Sequence, residues 1–279
     1  MKNYYCQVAG LPDLAPEDVR PAVSTARFKE QYWGALSADD KKVVALFYLQ
    51  YDHRNLLGLL REGEEAPFDE RGMFSREELI EAREKVNRRD DAGRCLPPYF
   101  YEFISRYPTL HETSEQLPED VLASYYYDYA SRARNGFVRR WYAFNRNVNN
   151  ILIALTARRH NFSATNYLVG SDEVTLALAT SGARDFGLGP ELDYIDDVMR
   201  IFEMSEPVER ERKLDLLKWN WMEEETFFNY FSVERLFVFL LKTAMIERWM
   251  PIEKERGAKV FRTLVDRLKD EVSIPKMKK

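Results

Sequence analysis

The sequence predicts an all-α fold, and three observations carry that expectation. Glycine and proline are scarce, at 12 each in 279 residues. Glu, Arg and Leu, which favour helix, are abundant. Apolar residues recur at spacings of three and four through several long stretches, while no pair of segments reads as matched strands. At 45% hydrophobic and 31% charged residues the chain has enough apolar surface for a substantial core. Aromatics reach 14%, which fits thick helix–helix packing.

Taken in order, residues 3–9 favour a short extended segment, since Tyr4, Tyr5 and Val8 have strand propensity. Pro16-Glu17-Asp18 places proline and acids in a first turn, so a helix is predicted from there to about Glu30. Lys41 to Arg61 then forms the central helix. It has no proline, and Val44, Tyr48, Tyr51, Asn55 and Leu59 share one face. Leu49, Leu56 and Leu60 widen that face, so packing on more than one side is expected. Ser37 is placed to cap it, with Asp39 and Asp40 in the first turn. Asp52 and Asn55 interrupt the stripe. They read either as groups bonded to a neighbouring backbone or as a ligand or metal site.

Residues 62–74 read as an acidic loop, and Ser75-Arg-Glu-Glu78 is a capping box that starts a helix to about Arg89. A short helix from Pro97-Pro98 should end before a loop running from Tyr107-Pro108 to Pro118, the first lobe boundary. Pro118-Glu119-Asp120 opens the next helix, followed by a break at Asn135-Gly136 and a second long helix. Asn161–Gly170 connects to a helix begun by Ser171-Asp-Glu173. After the turn at Gly187-Leu-Gly189-Pro190 a helix is predicted from Pro190 through Phe202. Glu206-Pro207 begins another, reaching Trp219 and Trp221. Glu223-Glu224-Glu225 is expected to head a third long helix to about Trp249, and Pro251 to open the last one. Lys276, Lys278 and Lys279 read as a mobile tail.

The central helix has echoes. Phe47, Tyr48, Asp52, Asn55, Leu56, Leu57 and Leu60 align with Tyr142, Ala143, Asn147, Asn150, Ile151, Leu152 and Leu155. A further shift reaches Phe227, Phe228, Ser232, Arg235, Leu236, Phe237 and Leu240. The polar pairs Asp52/Asn55, Asn147/Asn150 and Ser232/Arg235 are expected to lock each copy's helix to its neighbours.

Tyr51-Asp-His-Arg-Asn-Leu-Leu-Gly-Leu-Leu-Arg61 resembles the Asp-x-x-Asn-Leu-x-x-Leu-Leu-Arg signature of the C (or d) subunit of V/A-type rotary ATPases. Tyr4-Tyr-Cys-Gln-Val-Ala-Gly-Leu-Pro-Asp-Leu14 resembles the start of an uncharacterised bacterial family encoded beside V-type ATPase genes. The two matches cover a small part of the chain. Arg61-Glu-Gly-Glu-Glu65 departs from the usual continuation, and the second and third copies lack the Asp. The resemblance implies three similar helical lobes forming a funnel, here about 1–110, 111–187 and 188–279. It implies a non-catalytic coupling subunit of a proton- or sodium-translocating ATPase, with the central stalk and membrane ring as partners. Its place would be cytoplasmic and peripheral to the inner membrane.

Residue chemistry sets the alternatives. Cys6 and Cys95 have no metal-ligand spacing and read as reduced thiols. No apolar leader precedes Tyr4, and runs such as Leu236–Leu241 are too short to span a bilayer. His53, His111 and His160 form no ligand pair, and no phosphate loop or nucleophile elbow is present. No cofactor, metal or catalytic residue is expected. Asp193, Asp196 and Asp197, at i, i+3 and i+4, could share a helix face and hold Mg²⁺, or be a solvated helix start. Net charge is −5, against general nucleic-acid binding, yet no Asp or Glu occurs from Tyr129 to Ser171. That window holds Arg132, Arg134, Arg139, Arg140, Arg146, Arg158 and Arg159. It could meet a protein partner, pair internally with the acidic remainder, or bind single-stranded RNA with the help of Trp141, Tyr142, Phe144 and Phe162. A helical adaptor or RNA-binding protein is therefore the alternative function, and a Mg²⁺ enzyme a further one.

Overall fold

The computed structural model describes residues 3–113 and 116–271, with side chains over 3–110 and 116–252. It is all-helical, with no strand among the described residues. Eleven α-helices are described: α1 (Tyr5–Ala9), α2 (Thr25–Tyr32), α3 (Ala38–Glu62), α4 (Arg76–Arg88), α5 (Pro98–Thr113), α6 (Pro118–Ala130), α7 (Gly136–His160), α8 (Glu173–Thr180), α9 (Ile195–Phe202), α10 (Pro207–Glu225) and α11 (Val233–Glu271).

α3 and α7 are the two hubs. Each has 25 residues and a side-chain N-cap: Ser37 Oγ accepts from Asp40 N, and Asn135 Oδ1 from Val138 N. α3 packs on α4, α6 and α11, while α7 packs on α6, α8, α9 and α10. α6 thus bridges the hubs, and a single hydrophobic core runs through both. Along α3, Val44, Tyr48, Asp52 and Leu56 lose all contact with solvent. They recur every four residues, as a helix packed along one face requires. Around α7 the core is aromatic: Phe144 lies face to face with Trp221 of α10 at 4.5 Å and edge-on to Tyr194 at 4.7 Å.

Several predicted boundaries move. Residues 5–9 are a short helix rather than extended, and Tyr4 N–H donates to Phe231 O, a backbone bond from the N-terminal segment to the α10–α11 turn. The helix predicted from Pro16 does not form. Asp18 instead accepts from Ala15 N, Pro21 intervenes without an N–H, and α2 begins only at the Ser24 cap. Glu247 of α11 then accepts from both Thr25 N and Thr25 Oγ1 at that start. α5 runs through Pro108, where a loop was expected, and α11 runs through Pro251, where a new helix was expected. In both cases the proline removes one backbone bond without ending the helix. α9 begins at Ile195, five residues after the predicted Pro190, because 188–194 is a run of turns. Glu223-Glu224-Glu225 end α10 instead of heading the next helix, and α11 starts at Val233. The Lys276, Lys278 and Lys279 tail lies outside the described residues.

Candidate functional site

Asp52 and Asn55 hold the connection that follows their own helix. Both Asp52 carboxylate oxygens accept from Met73 N at 2.9 Å, and Oδ1 also accepts from Phe74 N at 3.1 Å. Asn55 makes a reciprocal pair with one residue of the same loop, donating to Asp69 O at 2.9 Å and accepting from Asp69 N at 2.8 Å. Lys29 of α2 donates to Gly72 O from the other side. Burial pushes the Asp52 carboxyl up to about 6, against the pull of the two N–H groups and the Lys29 charge. Burial likewise lowers the Lys29 ammonium. The arrangement uses the oxygens of both residues on backbone, as a structural clamp does and an open ligand site does not.

The second pair repeats half of this. Asn150 donates to Val169 O at 2.8 Å and accepts from Val169 N at 3.0 Å, the same reciprocal bond to the loop after its helix. Asn147 donates to Tyr194 Oη at 3.3 Å and does not reach that loop. The neighbouring Arg146, buried, pairs instead with Asp172, which caps α8 through Thr175 N at 3.0 Å. The third pair behaves differently. Arg235 points back to α10, bonding Glu223 at 3.2 Å and Thr226 Oγ1 at 3.4 Å. Ser232 Oγ is buried with no hydrogen-bond partner. The third copy is therefore out of register with its helix, which begins after Ser232.

That slip leaves its aromatic pair outside any helix. Phe227, Phe228 and Tyr230 are 64%, 81% and 61% exposed in the α10–α11 turn. Phe231 joins them and packs on Tyr5 at 4.6 Å, with Tyr5 itself exposed. Sequence patterning missed this edge because it aligned Phe227 and Phe228 with Phe47 and Tyr48 and placed them inside a third long helix. The three consecutive Glu at 223–225, unsuited to a buried seam, were the available signal.

The arginine window is largely spent inside the molecule. Arg139 donates to Ala133 O and Arg134 O, Arg140 meets Glu225 at 2.6 Å, and Arg159 meets Glu203 at 3.1 Å. Arg158 donates to Ser181 O and Arg184 O and lies over the Phe186 ring. Arg132 and Arg134 stand apart at the mouth of a cleft beside α6. The seven do not form one exposed strip. The Asp193, Asp196 and Asp197 triad is not assembled either: Asp193 precedes α9, and Asp197 meets Arg200 at 3.4 Å. Among the described residues no three His, Cys, Asp or Glu side chains are grouped to hold a metal.

His53 is half-buried against the core with its Nε2 2.6 Å from Tyr99 Oη, and desolvation holds its imidazole down at about 3. His160 is exposed in the last turn of α7. The side chain of His111 lies outside the described residues. Cys6 and Cys95 are free and exposed. Among the described residues no helix is long and apolar enough to cross a membrane.

No curated protein and no solved structure matches the chain. The resemblance to the rotary-ATPase C-subunit superfamily is overturned: the family profile that matches is a different one, and it accounts for nearly the whole length. Short apolar helices with an Asp and an Asn are easily alike, and in this chain those two residues serve a loop clamp. Over residues 1–272 the chain belongs to the family described as "Protein of unknown function (DUF2764)".

Proposed function

We propose that the protein is a non-catalytic helical adaptor that docks on protein partners through the edge formed by Tyr5, Phe227, Phe228, Tyr230 and Phe231. One observation carries this reading: these rings are gathered at one edge and exposed. Single exposed apolar residues are ordinary, whereas a contiguous group marks an interaction surface. Aromatic rings also dominate the energetics of protein interfaces. The edge is braced by the Tyr4 N–H bond to Phe231 O and by Tyr4 Oη, which meets Ser37 N and Asp40. A braced surface loses less freedom on binding.

The setting we propose for this adaptor is a peripheral, cytoplasmic position between the stalk and the membrane ring of a proton- or sodium-translocating rotary ATPase. It would act there as a mechanical part, with lobes near 1–110, 111–187 and 188–279 arranged as a funnel. Support comes from the two long clamped helices, α3 and α7, which supply stiffness in the first two of those lobes. This role does not depend on membership of the C-subunit superfamily.

Affinity purification of the tagged protein from gently solubilised native cells tests both statements. The wild type should bring down catalytic, stalk and ring subunits, and Phe227→Ser/Phe228→Ser should lose them with helical content intact. Partners of another kind, still lost in that variant, would retain the adaptor and remove the ATPase. Unchanged recovery in the variant would remove the aromatic edge.

A further inference from the structure

A cleft of about 440 Å³ opens between α3, α5, α6 and the turn before α7, away from both clamps and from the aromatic edge. Pockets that hold small molecules span roughly 300–1,000 Å³. Its floor includes Leu46 and Tyr99, both buried, and its walls include Tyr125 and Tyr129. The Tyr99 and Tyr129 rings pack on each other, tilted, at 5.2 Å, and give the cleft one continuous aromatic wall. Tyr99 is fixed from behind by the 2.6 Å contact of its hydroxyl with His53, whose ring in turn packs edge-on against Tyr126 at 4.9 Å. The floor is thus preformed, not assembled on demand.

Charges of both signs rim this floor. Six charged residues line the cleft: Asp39 and Lys42, which pair with each other at 3.3 Å, and Arg132, Arg134, Glu102 and Asp128. Among the described residues none of the last four side chains is within ion-pair distance of an opposite charge, in a protein where most of the other window arginines are bonded. Two guanidinium groups and two carboxylates around an aromatic hollow match a ligand that is itself aromatic and doubly charged. A purely anionic or purely cationic ring would face two like charges.

We propose that this cleft binds a small aromatic zwitterion. Its ring lies among Tyr99, Tyr125 and Tyr129, its carboxylate meets Arg132 and Arg134, and its ammonium meets Glu102 and Asp128. A free aromatic amino acid and a short aromatic peptide share this chemistry. The site is independent of the adaptor reading.

Calorimetric titration of the full chain with L-phenylalanine, with the dipeptide Phe-Phe, and with uncharged N-acetylphenylalanine amide tests the proposal. One zwitterionic probe should bind once per chain, and the uncharged analogue roughly tenfold more weakly or worse. The probe that binds more tightly identifies the source. Arg132→Ala/Arg134→Ala should weaken the zwitterion by about tenfold and leave the uncharged analogue unchanged; both side chains are on the surface, so the fold is retained. Phe228→Ser should leave binding as it is. Absence of heat with both zwitterions at about 10 mM, equal binding of the uncharged analogue, or loss of binding in Phe228→Ser would each overturn the site.

Discussion

The loops after α3 and α7 solve one problem in two ways. Each must lay an irregular, partly buried backbone against a long helix without stranding its N–H and C=O groups. Both use an asparagine whose amide pairs with the N–H and C=O of a single loop residue, Asn55 with Asp69 and Asn150 with Val169. They differ one turn earlier. α3 commits a fully buried carboxylate, Asp52, to the backbone at Met73 and Phe74. α7 moves the charge toward the surface, where Arg146 meets Asp172, whose side chain keeps 41% of its exposure. A buried carboxylate binds backbone N–H groups tightly but is penalised for its charge. The ion pair nearer water avoids much of that penalty.

The largest test of this contrast falls on the glycine opposite each charge. A Cβ on Gly72 would overlap the Asp52 carboxylate, which is pinned by the next two residues and cannot withdraw. A Cβ on Gly170 would come 2.9 Å from Arg146 Nη1, the far end of a longer side chain, at a backbone φ of +97°. Gly72→Ala should therefore cost about 3 kcal/mol or more, and Gly170→Ala about 1–2 kcal/mol, mostly from the positive φ. Urea denaturation reads both, and equal losses would deny the difference in rigidity.

The two asparagines come next. Asn150→Ala strands an N–H and a C=O on Val169, which is itself buried, and should cost about 3 kcal/mol. Asn55 lines an open cleft beside Asp69, so water can replace part of what Asn55→Ala removes. About 1.5 kcal/mol is expected there. A larger loss at Asn55 than at Asn150 would reverse the account of which loop is drier.

What could be read in advance follows the same division. Periodicity placed α3 and α7 closely, because a helix buried on several sides repeats its apolar residues over many turns. The Ser75–Glu78 capping box is local chemistry, and it was legible too. Asp52 and Asn55 stood out as polar groups in a stripe, but what they bond lies 14 to 22 residues on, in a loop with no regular pattern. The third copy misled for the opposite reason. Its side chains fit the helical period, yet the chain breaks between Glu225 and Val233, and a pattern of side chains carries no record of such a break. Pro108 and Pro251, read as punctuation, sit inside continuous helices, since one proline removes a single backbone bond and need not end a long helix.

The smallest predicted effect is also the most specific to α3. The repeat aligns Asn147 and Val148 with Asp52 and His53, so α7 has no titrating group where α3 has two in succession. Those two oppose each other. His53, held at about 3, stays neutral in the fold while the unfolded chain takes up a proton below about 6.5, so its share of stability falls as pH drops from about 6.5 toward 3. Asp52, raised to about 6, takes up its proton in the fold before the unfolded chain does, so its share rises as pH drops from about 6 to about 4. Each slope is at most about 1.4 kcal/mol per pH unit, and between pH 4 and 6 they nearly cancel. Relative to wild type, Asp52→Asn should lose stability more steeply on acidification across that window, and His53→Phe less steeply. Slopes from urea denaturation at several pH values isolate this from other carboxylates, which are common to all three proteins. Asn147→Asp, which sets an acid at the aligned α7 position directly beside Arg146 and without the backbone N–H groups and full burial that Asp52 has, should not reproduce the Asp52 slope. If it does, the perturbation belongs to the repeat position and not to the buried clamp that only α3 builds.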